Sequence, residues 1–154
     1  MYINRYSEIS RFTRINTILA ASIGEIPGNT DLAKLKEAEK NALKSTVRSY
    51  QIGAVIYKGK KTLSVGYNKW KTHPWQARFN TRSVSLHAEI DAILTAMRFD
   101  HILPGSTIAI SRMRSNGNIG ASYPCFECMN ALSHVGVSKV VCIGVDFNPI
   151  KVNL

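Results

Sequence analysis

The stretch Ser106–Val145, STIAISRMRSNGNIGASYPCFECMNALSHVGVSKVVCIGV, decides the architecture. Ser106–Met113 (STIAISRM) alternates β-branched and small residues and reads as a strand. Ser115-Asn116-Gly117-Asn118 is a glycine-containing reversal, and Ile119–Ser122 is a short return strand. Pro124 then opens a helix from Cys125 to about Val135, because the first helical turn leaves unused the N–H that proline lacks. Lys139–Val145 (KVVCIGV) is a near-continuous apolar run, the pattern of a buried strand. Asn148-Pro149 turns the chain into a last short strand, Ile150–Leu154. Nine residues after Val145 are too few for a crossover of a dozen or more, so that strand runs antiparallel to its predecessor.

Upstream, Gln51–Tyr57 (QIGAVIY) and Thr62–Tyr67 (TLSVGY) flank Lys58-Gly59-Lys60-Lys61 and form a β-hairpin. Before it, Thr30 or Asp31 caps a helix running to about Ser49, with Leu32, Leu35, Ala38, Ala42 and Leu43 at helical spacing. Asn68–Ser85 is a long polar loop, and His87 to about Phe99 is a helix closed by the Pro104-Gly105 turn. Helices alternating with strands indicate an α/β layer sandwich, and the hairpin makes its sheet mixed.

A chain of 154 residues is one domain by size, here residues 31–154, preceded by a helical arm over residues 1–30. Against 10 Asp and Glu stand 20 Lys and Arg, a net charge of +10. The excess is local. From Lys40 to Ala88 there is no acid, but ten basic residues: Lys40, Lys44, Arg48, Lys58, Lys60, Lys61, Lys69, Lys71, Arg78 and Arg82. Such a charge favours an anionic partner. No apolar run approaches the roughly 18 residues of a spanning helix, so no membrane partner is expected. Near the start, Asn16 and Thr17 interrupt the one apolar patch that imitates a signal peptide, and a cytoplasmic location is expected. Three cysteines, two of them spaced Cys-x-x-Cys, suit metal or redox work better than a disulfide scaffold.

Chemistry concentrates in two places: His87-Ala88-Glu89 at one helix start and Pro124-Cys125-Phe126-Glu127-Cys128 at another. Cys125 and Cys128, at i and i+3, share one face of a turn, and the positive end of a helix favours thiolates. His87 could supply a third ligand, leaving the open position of a catalytic zinc site, with Glu89 placed to move a proton of the bound water. In this order, His-x-Glu…Pro-Cys-x-x-Cys is the pattern of zinc nucleobase deaminases. The chain resembles the cytidine/deoxycytidylate deaminase superfamily from about Ile52 to Val145. That resemblance implies a three-layer α-β-α cytidine-deaminase-like fold with a mixed sheet of about five strands. It implies one catalytic Zn2+ held by His87, Cys125 and Cys128, and Glu89 as the proton shuttle. It further implies substrate contacts from Asn68, in Gly66-Tyr67-Asn68, and from the Ala88 backbone N–H.

Other residues have plainer readings. Cys142 belongs to the core, His73, His101 and His134 match no ligand spacing, Asp91 is structural, and Asn68 could instead close the hairpin. The loop Asn68–Ser85 carries Lys69, Lys71, Arg78 and Arg82 among Trp70, Trp75 and Phe79. Cations among aromatics suit a phosphate and a stacked base, so Lys69, Trp70, Lys71 and Arg78 join the candidate substrate contacts; the alternative is a lid with buried tryptophans. The expected reaction is therefore deamination of cytosine in a small nucleotide or nucleoside, dCMP slightly ahead of cytidine. Cytosine (or, less favoured, adenine) in single-stranded DNA or RNA is the second reading, and a silent nucleic-acid-binding protein with structural zinc is the third. The short C-terminus resembles that of the free-nucleoside cytidine deaminases, which implies a homo-oligomer.

Overall fold

A computed structural model describes residues 24–80 and 82–154. Most of the helical arm expected over residues 1–30 lies outside them; within them, Glu25 forms a two-way backbone bridge with Lys151. The elements are α1 (Asn29–Ala42), β1 (Tyr50–Lys58), β2 (Lys61–Tyr67), α2 (Pro74–Ala77), α3 (Ala88–Arg98), β3 (Thr107–Arg114), β4 (Ile119–Gly120), α4 (Phe126–His134), β5 (Lys139–Ile143) and β6 (Pro149–Asn153). The sheet order is β2-β1-β3-β5-β6, with β4 paired to β3. Among the described residues only the β3–β5 pair is parallel, so the sheet is mixed, as expected, and β6 is antiparallel to β5.

Three layers follow from which faces are apolar. On one side Leu35 and Ala38 of α1 pack against Val55, Tyr57, Ala109 and Val141 of the sheet. On the other, Ile90 and Ile93 of α3 and Leu132 of α4 cover Ile56, Ile108, Ile110, Val140 and Cys142. Burying an isoleucine or leucine fully contributes roughly 1.5–3 kcal/mol, so this second face dominates cohesion. Cys142 is a core residue, fully buried. Gly66 sets how closely α3 lies on β2: a Cβ there would stand 2.5 Å from the Ala88 carbonyl oxygen.

Two helix limits differ from the sequence reading. The cap of α1 is Gly28, not Thr30 or Asp31; Asp31 sits at the third helical position, where its carboxylate accepts from the Gly28 N–H at 2.9 Å. At the other end α1 stops at Ala42 instead of Ser49. There the Ser45 hydroxyl accepts from the Val47 N–H and donates to the Asn68 carbonyl, diverting the backbone from helix.

The return strand after β3 is only two residues, because Ser122 is used elsewhere. Its N–H donates to the Ile143 carbonyl, its hydroxyl donates to the Ile110 carbonyl, and the same oxygen accepts from the Ile143 N–H. Ser122 thus stitches β3 to β5 beyond Ala109 and Val141, the last residues that pair directly. This is the carboxyl end of the parallel pair, where α/β sheets hold ligands.

Candidate active site

Two helix starts meet at that end of the sheet. His87 caps α3, Cys125 caps α4, and Cys128 lies in the first turn of α4. The His87 Nδ1 is 3.3 Å from the Cys128 Sγ and 3.7 Å from the Cys125 Sγ. Zinc bonds of about 2.0 Å to nitrogen and 2.3 Å to sulfur at a tetrahedral angle put such donors about 3.5 Å apart. The three side chains therefore fit a zinc ion as they stand, and the three ligand atoms lie within 4.8 Å of one another.

The histidine is oriented by its surroundings. The Ser83 hydroxyl donates to the Ser85 carbonyl at 2.6 Å, so toward the His87 Nε2, 3.1 Å away, it can only accept. Nε2 therefore keeps its proton, and in the neutral ring, the form that binds metal, the Nδ1 lone pair faces the two sulfurs. Gln76, buried in α2, holds the same segment: its carbonyl accepts from the His87 N–H and its amide donates to the Ser85 carbonyl.

Ionisation is polarised across the site. A hydrogen bond from the Cys128 thiol, supported by His87, brings the Cys125 thiol down to about 4, against the effect of burial. Cys128, the donor of that bond and fully buried, is pushed up. Burial lowers the His87 pKa, but the hydrogen bond to Cys125 and the charges of Glu89 and Cys125 outweigh it and bring it to about 8. A thiolate beside a helix N-terminus is the state that binds metal.

Glu89, the second residue of α3, is 4% exposed, and its Oε2 has no hydrogen-bond partner among the described residues. Burial, then the charge on Cys125, raise its pKa, while His87 opposes them. The carboxylate opens onto a cavity of about 140 Å³, bounded on one side by His87 and Cys125. Ile52, Ile110 and Tyr123 form apolar walls, and Arg112 reaches in from β3.

The candidate substrate residues are placed unevenly. Ala88, fully buried, is the first residue of α3, so its N–H has no intrahelical partner. Asn68 is buried and spans the edge of β1, its Oδ1 accepting from the Ile52 N–H and its Nδ2 donating to the Tyr50 carbonyl. The Lys69 ammonium pairs with Asp91 at 2.9 Å and lies over the Tyr67 ring. Trp70 is 57% exposed, Lys71 and Arg78 are also exposed, and none of the three lines the cavity. Trp75 instead packs on Phe79, which meets His134 edge-on, so the loop is half lid and half exposed platform. His73 caps α2, its Nδ1 accepting from the Trp75 N–H. Gln76, Ser83 and Arg112 were not singled out in the sequence; His73-Pro74, a cap followed by proline, was the one signal that a helix lay inside the loop.

Residues 29–144 match the family model described as the cytidine and deoxycytidylate deaminase zinc-binding region. Among solved structures, the apo dCMP deaminase of cyanophage S-TIM5 superposes with a TM-score of 0.56 at 24% identity, covering 75% of this chain and 82% of that one. The cytidine deaminase of Burkholderia pseudomallei gives 0.59 at 18% identity, covering 79% and 91%. A second structure of the cyanophage enzyme, in complex with dCMP and dUMP, gives 0.55 at 21% identity over 75% and 82%. No curated protein sequence matches the chain. The fold and the family match agree, and the chain belongs to the cytidine and deoxycytidylate deaminase family of zinc-dependent hydrolytic deaminases.

Proposed function

We propose that this chain converts the cytosine base of a small cytidine compound to uracil, with a 5′-phosphorylated substrate such as dCMP ahead of the free nucleoside. One observation carries the reading: the unpartnered Glu89 Oε2 opens onto the same cavity as His87 and Cys125. About 140 Å³ is well below the roughly 300 Å³ at which drug-sized sites begin, so it takes the base ring, with the sugar and phosphate reaching outward from it.

His87, Cys125 and Cys128 would hold zinc, which when bound supplies Lewis-acid activation of the attacking water. Glu89 is the group that moves protons. It accepts one from the water and delivers it to the ring nitrogen next to the carbon under attack. It then passes the second water proton to the exocyclic amine, and the C–N bond breaks with release of ammonia. Water and cytosine enter, uracil and ammonia leave, and Glu89 ends as it began. The Ala88 N–H, at the positive end of α3, is placed to hold the base carbonyl. Ile52, Ile110 and Tyr123 limit solvent around the ring.

The exposed Trp70, with exposed Lys71 and Arg78 nearby in the chain, favours a second reading in which the base belongs to a single strand of nucleic acid. Both are tested by incubating zinc-loaded protein with cytidine, deoxycytidine, CMP, dCMP and a mixed-sequence oligonucleotide, following uracil formation. Turnover of the mononucleotides is expected. Turnover confined to the oligonucleotide would replace the first reading with the second.

A further inference from the structure

Among the described residues, Arg112 is the one cationic side chain in the cavity wall outside the zinc-site residues. Its Nε is buried, and among the described residues it has no hydrogen-bond partner and no ion pair involves Arg112. Arg112 lines the cavity from β3, whereas Glu89 enters it from α3. The cavity wall therefore carries two unlike polar groups, the Glu89 carboxylate and the Arg112 guanidinium, each with a buried atom that has no hydrogen-bond partner among the described residues.

The fold presents Arg112 in a definite way. Arg112 pairs with Ile52 and Arg114 with Tyr50, so on this face β3 runs Ile110, Arg112, Arg114, each about 7 Å beyond the last. The Arg112 guanidinium reaches the Tyr50 ring, 5.9 Å from its centroid. Opposite, Gly120 leaves the space over which both arginine stems lie. A Cβ there would stand 3.0 Å from the Arg114 Cγ and 3.5 Å from the Arg112 Cδ. Nε and one terminal nitrogen form the edge with which a guanidinium grips two oxygens of one phosphate, and in Arg112, half-buried as a whole, the Nε donor of that edge is unspent among the described residues.

We propose that Arg112 is the specificity-determining residue of this site, receiving the phosphate of a pyrimidine nucleoside 5′-monophosphate whose base lies at Glu89. This inference rests on the proposed deamination of a small cytidine compound and deepens it by naming the residue that selects its phosphate. The lysines and arginines of the Asn68–Ser85 loop are then not what selects the nucleotide.

Binding of the product tests it without requiring turnover. Calorimetry on the zinc-loaded protein compares dUMP with deoxyuridine for the native chain, Arg112→Gln and Arg112→Lys. The native chain should prefer dUMP at least tenfold; Arg112→Gln should lose that preference, with dUMP affinity falling far more than deoxyuridine affinity. Arg112→Lys, which keeps the charge but not the two-donor edge, should restore part of it. Equal binding of the two ligands by the native chain, or a preference that survives in Arg112→Gln, overturns the proposal. So does an equal loss for both ligands, with zinc content and melting temperature either kept or lowered. Turnover of dCMP, followed in parallel, separates the two claims. No uracil formed despite selective dUMP binding would sink the proposed reaction and leave the role of Arg112 standing.

Discussion

The Ser83 hydroxyl oxygen lies 3.1 Å from the Nε2 of His87, on the side of the ring away from the two cysteine sulfurs. Since its single proton is given to Ser85, this oxygen decides which histidine nitrogen is free to bind metal. Removing it leaves the ring able to flip or to take the other tautomer. Ser83→Ala should therefore lower zinc affinity about 10–100-fold, and Ser83→Thr should restore most of it. Competition with a chromogenic chelator measures this directly. An unchanged affinity in Ser83→Ala would show that packing alone orients His87.

Glu89 can be separated from the metal by an isosteric change. Glu89→Gln keeps the volume and burial of the side chain but removes its capacity to accept a proton. Turnover should fall by about 10²–10⁴-fold while one zinc per chain is retained. Activity assays beside elemental analysis check this, and zinc-replete Glu89→Gln with native turnover would sink the assigned mechanism.

Much of this site was legible because its chemistry is local. His87, Cys125 and Cys128 sit where two helices begin, and capping and proline signals mark helix starts in one dimension. Their supports were not legible. Gln76 and Ser83 matter only because the loop folds back on α3, and Arg112 because the β3–β4 hairpin brings Gly120 beside it. No periodicity reports such contacts. Lys69 shows the converse: read as a substrate contact from its neighbours in the chain, it pairs with Asp91, set on α3 by the helical turn after Glu89. Likewise Leu43, counted in the apolar spacing of the first helix, is exposed: it is the cap residue just past Ala42, where α1 ends.

The close approach of α3 to β2 gives a third prediction. At Gly66 the smallest side chain would press on the backbone of Ala88, which adjoins both His87 and Glu89. Backbone cannot rotate away as a flexible side chain can. Gly66→Ala should cost about 1–3 kcal/mol in denaturant unfolding and weaken zinc binding together with stability. A substitution that lowers stability but leaves zinc affinity intact would show that α3 shifts as a rigid body with its ligands.

Asp31 joins the two ends of the described chain and makes folding pH-dependent. Its carboxylate accepts from the Tyr57 hydroxyl at 2.6 Å, from the Gly28 N–H at 2.9 Å and from the Lys151 ammonium at 3.0 Å. Burial by itself raises the Asp31 pKa, but these three donors outweigh it and hold the group below its ordinary value of 3.8. Tyr57 is correspondingly pushed up, first by burial and then by the carboxylate it serves. A carboxyl whose folded-state pKa is depressed stabilises the fold in full above its unfolded pKa, and that contribution is lost as pH falls through the folded value. Asp31→Asn should therefore lower the melting temperature at pH 7 and flatten its decline below about pH 4. Tyr57→Phe, which removes one donor but keeps the ring, should cost about 1 kcal/mol at neutral pH and steepen nothing in acid. Melting curves of the three proteins from pH 2 to 8 distinguish the outcomes: an acid limb as steep in Asp31→Asn as in the native chain would move the acid sensitivity away from Asp31.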